Sequence, residues 1–95
     1  MWEKYPRQNP DTPTRTIEGE AVVITPDDSQ LHNLNATATL IWERSNGTRS
    51  LEEIFSEMLE TYEVEESELR ADILDFIQES QSKGMLDLLE SAKPL

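Results

Sequence analysis

The sequence predicts an α+β domain, a small three-stranded antiparallel sheet followed by three helices. Three observations predict it. A β-branched run, Ala21-Val22-Val23-Ile24, lies between two turn signals. Leu51, Ile54, Phe55, Met58, Leu59 and Tyr62 then fall on one face of a helix behind a Ser50–Glu53 capping box. Leu69, Ile73, Phe76 and Ile77 repeat that spacing before Gly84.

Taken in order, residues 1–14 hold Pro6, Pro10 and Pro13 and little apolar periodicity, and are expected to form a flexible tail. Trp2 and Tyr5 are the exception, free to pack back on the domain or onto a second copy. Arg15–Ile17 suits a first strand, Glu18-Gly19 a turn, and Glu20–Thr25 a second strand. The continuous apolar run of that strand predicts cover on both faces. Pro26-Asp27-Asp28-Ser29 is a turn, since Pro presets φ and the Asp side chains bond nearby backbone. Gln30–Leu34 is a third, more polar strand. Asn35 is an N-cap for a helix over Ala36–Arg44, which ends at Asn46-Gly47. After the capped second helix, Glu65–Lys83 makes the third, with acids at its N-terminal end where the helix dipole favours them. Met85–Leu89 suits a closing strand or packed tail. The domain is expected over 15–90, with 91–95 a C-terminal tail.

The bulk properties bound the function. Ninety-five residues with 36% hydrophobic content support one modest core. Twenty acidic residues against eight Lys and Arg give a net charge of −12, which disfavours nucleic acid and anionic membrane surfaces. The chain has no cysteine and no apolar run long enough to span a membrane, and the N-terminus lacks the apolar core of a secretory signal. The cytoplasm is the expected compartment.

His32 is the sole histidine, and with no cysteine it has no partner for a metal site or a nucleophilic triad. It reads as a surface or sheet-face residue. The three glycines are scattered, so no phosphate-binding loop is present. The carboxylates fall on solvent faces, notably Glu68, Asp72, Asp75 and Glu79 on the far side of the third helix. No catalytic residue, metal or cofactor is expected. A remaining sector of the third helix carries Ser67, Arg70, Leu74, Gln78 and Gln81. It reads either as ordinary mixed surface or as one wall of a peptide groove.

Three strands followed by three helices is a winged-helix-like layout. Leu34-Asn35, Ala38, Ile41-Trp42, Asn46-Gly47, Ser50-Leu51-Glu52-Glu53-Ile54, Ile73, Phe76-Ile77 and Gly84-Met85-Leu86 together resemble the PqqD family over about Arg15–Leu88. Asn46 stands where that family usually has Asp, a mild change at a turn. The resemblance implies a non-enzymatic peptide chaperone. Such domains hold the leader of a ribosomally made precursor peptide and present it to a maturase, often a radical SAM enzyme, as in pyrroloquinoline quinone biosynthesis. It implies that the leader adds as a strand to the third strand, in a groove walled by the third helix. The expected contacts are therefore Gln30, Leu31, His32 and Asn33 on the strand. On the helix they are Leu74 as apolar anchor, Arg70 as charge partner, and Gln78 and Gln81 as a polar rim. The surplus acid suggests a leader with basic residues. The alternatives are a winged-helix DNA-binding regulator, which the lack of Lys or Arg on the second helix opposes, and a small dimerisation or scaffold module. The chain is expected to be a monomer or weak homodimer.

Overall fold

The computed structural model describes residues 1–25 and 30–92. The expected turn at 26–29 and the last three residues of the C-terminal tail lie outside them. The chain runs β1 (Tyr5–Gln8), β2 (Thr14–Ile17), β3 (Glu20–Ile24), β4 (Leu31–Asn33), α1 (Ala36–Arg44), α2 (Leu51–Thr61), α3 (Glu66–Ser82) and β5 (Leu86–Leu89). The α+β layout predicted from sequence is present: β2-β3-β4 form one antiparallel sheet and three helices follow.

Local chemistry explains the boundaries. Glu18 and Gly19 have φ of 51° and 83°, the paired positive values of the two-residue hairpin turn that matches strand twist. The Asn35 side chain accepts from the Ala38 N–H at 2.8 Å, capping α1. Ser50 and Glu53 form the full reciprocal capping box of α2. The Glu65 carboxylate caps α3, accepting from Glu68 N–H at 3.2 Å. Its hydrogen bonds, those from Ser67 foremost, hold that carboxyl below the usual glutamate range. After α3, Gly84 takes φ of 71°, and the chain reverses into β5.

The core gathers Ala21 and Val23 from the sheet, Ile41 and Trp42 from α1, Leu51, Ile54, Phe55 and Met58 from α2, and Leu69, Ile73 and Ile77 from α3. Burial along β3 alternates, with Ala21 and Val23 inside and Val22 and Ile24 only half-covered. The expected double cover of this strand is thus corrected. The helices lie on one face alone, and Val22 and Ile24 share the other with exposed Ile17 and Leu31.

The N-terminal segment is also corrected. It is no loose tail: β1 pairs antiparallel with β5, Tyr5 opposite Leu89 and Gln8 opposite Leu86. Pro6 is fully buried, and its carbonyl accepts from Gly47 N–H at 2.8 Å. Lys4 and Trp2 carbonyls accept from Leu51 and Glu52 N–H at 2.9 and 3.0 Å, so this segment also closes the first turn of α2. Trp2 stacks edge-on against Phe55 at 6.0 Å. Single-strand periodicity misses such a segment because β1 is short, holds a proline, and gains its stability from a partner about eighty residues away. Among the described residues, no helix is long and apolar enough to cross a membrane.

Candidate functional site

The site begins at a strand edge. Among the described residues β4 pairs only with β3, which leaves its other side open. The register places Asn33 opposite Val22, His32 opposite Val23 and Leu31 opposite Ile24. Leu34 N–H donates to Ala21 O at 2.8 Å, and Thr25 N–H to Gln30 O at 3.0 Å. Antiparallel pairing alternates, so His32 directs its backbone N–H and C=O toward β3. Those of Leu31 and Asn33 point to the open edge. Two donors and two acceptors there await a partner.

Thr39 fixes where this edge ends. Its hydroxyl accepts from Ala21 N–H at 2.9 Å and donates to Leu34 O at 3.3 Å. The side chain inserts where β3 and β4 separate, and it supplies the polar partners that ladder bonds no longer can. The chain turns into α1 at the next residue, Asn35.

A groove of about 430 Å³ runs between β4 and α3. His32 and Leu34 lie on its strand side, and Phe76, Glu79, Ser80 and Lys83 on its helix side. Phe76 is half-buried, whereas Ser80 is 2% exposed and forms part of the base. His32 shares the inner face of the sheet with Val23. Its Nε2 is shielded from solvent and has no hydrogen-bond partner among the described residues. Lys83 Nζ lies 2.7 Å from Glu79 Oε1. That ammonium holds the Glu79 carboxyl below the usual glutamate range, with a smaller pull from His32. Past Asn33 the groove continues between α1 and α3, where Asp72 and Asp75 join Phe76 and Glu79.

Three of the four expected strand residues lie along this groove, and the four expected helix residues lie on another flank of α3. Leu31, His32 and Asn33 line the groove. Gln30 is exposed just ahead of β4, with its carbonyl bound to Thr25. Arg70, Leu74, Gln78 and Gln81 are not among the groove residues. At about 100° per residue their sector lies roughly half a turn around α3 from Asp72, Phe76, Glu79 and Lys83. Arg70 instead packs against α2 and the N-terminal segment. Its guanidinium sits 3.9 Å from the Phe55 ring centroid and 4.7 Å from that of Trp2, and 3.4 Å from Glu52. The core stripe has two flanks, and helical periodicity does not say which one meets the sheet. The face read as solvated acid is the one that meets β4. The residues missed are Phe76, Glu79 and Lys83, with Asp72 and Asp75 beyond them. The available signal was the amphipathic contrast between flanks. Arg70, the only cation within α3, marks the side that meets the acidic start of α2.

Comparison with known proteins follows the fold. The family described as Coenzyme PQQ synthesis protein D (PqqD) matches residues 20–86. A solved structure described as TbiB1 in complex with the TbiA(beta) leader peptide superposes with a TM-score of 0.76 at 21% identity, covering 85% of this chain and 94% of that one. A second, lasso peptide synthetase B1 complexed with the leader peptide, gives 0.74 at 23% identity, over 86% and 96%. No curated protein matches the chain.

Proposed function

The chain belongs to the PqqD family, and on that premise we propose that it binds the leader of a ribosomally made precursor peptide and presents it to a maturase. The observation that carries this reading is the open edge of β4 beside the α3 wall. An extended peptide laid on that edge gains main-chain hydrogen bonds at Leu31 and Asn33, and the groove gives its alternate side chains a place. Phe76 offers an apolar contact. The buried, unpartnered ring nitrogen of His32 offers a polar one. Glu79 with Asp72 and Asp75 favours lysine or arginine in the leader. Two structural neighbours are described as leader-peptide complexes, which supports the same reading.

The protein on this reading is not a catalyst: it holds and orients a peptide, and the covalent chemistry belongs to the maturase. A radical SAM enzyme in the cytoplasm is the partner we favour, with pyrroloquinoline quinone synthesis one pathway it would serve. DNA recognition is opposed by the net charge of −12 and by an exposed acidic α3.

Selection of short linear peptides from a displayed random library on the full chain tests the proposal. Enrichment of extended, lysine- or arginine-bearing sequences that shift the Leu31 and Asn33 amide resonances is the expected result. Failure to enrich any peptide, or shifts confined to the Arg70 flank, contradicts it.

A further inference from the structure

The groove beside β4 does not end at Asn35. It shares Phe76 and Glu79 with the section between α1 and α3, and that section shares Thr37 and Asp72 with a larger cavity. This cavity, of about 520 Å³, opens where α1, the C-terminal end of α2 and the start of α3 meet. Leu40, Met58, Leu69 and Tyr62 make it apolar, and Val64 stands at its mouth, 45% exposed. Its rim is acidic, with Glu63, Glu65, Glu68 and Asp72.

Charge runs along the whole trough. Glu65, Glu68, Asp72, Asp75 and Glu79 follow one another at three- and four-residue intervals, and so form a single acidic stripe. All five are exposed. Glu79 is paired with Lys83, whereas Glu68, Asp72 and Asp75 have no salt bridge among the described residues. Like charges so arranged repel one another, and a cationic ligand relieves that repulsion. An apolar cavity ringed by unpaired carboxylates and continuous with a strand edge fits a basic, extended peptide that ends in a bulky apolar residue.

We infer that the α1/α2/α3 cavity is a second subsite for the same peptide. This rests on the strand-addition reading and extends it. Beyond the stretch paired with β4, the peptide crosses the acidic stripe with lysine or arginine over Asp72 and Asp75, and an apolar side chain enters between Leu40, Met58 and Leu69. The span sets the spacing. From the level of Ser80 to that of Glu65 is about 22 Å along α3, or six to seven extended residues. The ligand class is therefore a strand-forming segment with basic residues and one apolar anchor about that far to one side.

The test uses the full chain and a peptide of about sixteen residues selected on it from a random displayed library, a length that covers both subsites. The anchor residue of that peptide is changed to alanine. In the protein, Val64→Asp and Glu68→Lys are made separately, both at exposed positions. Each change is expected to weaken binding about tenfold or more, while the Leu31 and Asn33 amides still shift on saturation. On the alanine peptide Val64→Asp is expected to have no further effect. Methyl resonances of Leu40 and Val64 move with the intact peptide alone. If all these affinities stay within about twofold and the methyls are still, yet the β4 amides shift, the second subsite is overturned and strand addition stands. If the β4 amides do not shift either, both readings fall.

Discussion

Phe76 meets Trp42 edge on, with ring centroids 6.5 Å apart and planes at 85°. Trp42 is 1% exposed, and its Nε1–H donates to Thr14 Oγ1 at 3.2 Å. The half-buried ring on the groove wall is thus held by a core tryptophan that is itself anchored to β2. Such a contact limits the entropy Phe76 loses when a ligand covers it. Phe76→Ala is expected to weaken peptide binding by about tenfold or more and to cost about 1–3 kcal/mol of stability. Calorimetric titration and denaturant melts check the two effects.

Thr39→Val tests the hinge of the edge strand. The exchange keeps shape but removes the hydroxyl that serves both Ala21 and Leu34 at a site 2% exposed. A buried N–H left unpaired costs about 1–3 kcal/mol. Urea melts are expected to show a loss of that size. Amide exchange is expected to rise at Leu34 and across β4, ahead of global unfolding.

The two flanks of α3 separate binding from stability. Arg70→Ala removes the stack on Phe55 and Trp2, and about 1 kcal/mol is expected to go with it. Peptide affinity is expected to change less than twofold. Asp72→Lys with Asp75→Lys is expected to do the reverse, leaving the melting temperature near its parent value and weakening a basic peptide about tenfold or more. Side-by-side titrations of the two variants decide it, since the opposite pattern would restore the Arg70 flank as the groove wall.

How much of this was legible in the residues follows from what each feature depends on. Caps are local, so Asn35 and Ser50 marked the starts of α1 and α2 correctly. The stripe Leu69, Ile73 and Ile77 is buried as its spacing demands. β4 was recognisable as a polar, late strand. What sequence patterns do not hold is long-range choice. β1 exists because β5 lies beside it, and Pro6 gives no hint of that. The flank of α3 that faces β4 is fixed by how α2 and Trp2 claim the other. Acid on the groove side looks like any solvated face until the strand is set next to it.

The Glu79–Lys83 pair gives a pH dependence. The folded carboxyl is held below its ordinary value, so its favourable contribution is present above the unfolded pKa and is lost as pH falls through the depressed one. Its charge on the groove wall thus survives to a lower pH than that of a free glutamate. Affinity for a lysine-bearing peptide is expected to retain a Glu79-dependent part as pH falls through the range where a free glutamate titrates, and to lose it only below that range. Glu79→Gln is expected to remove that part at every pH. Titrations of both proteins across this range check it.

Amide hydrogen exchange at β4, with and without bound peptide, tests the central claim most directly. In the free chain Leu31 and Asn33 N–H point to the open edge and are expected to exchange fast, whereas His32 N–H is directed at β3. Strand addition predicts that peptide slows Leu31 and Asn33 by about tenfold or more and leaves His32 little changed. Unchanged exchange at Leu31 and Asn33 in a saturated complex would contradict it.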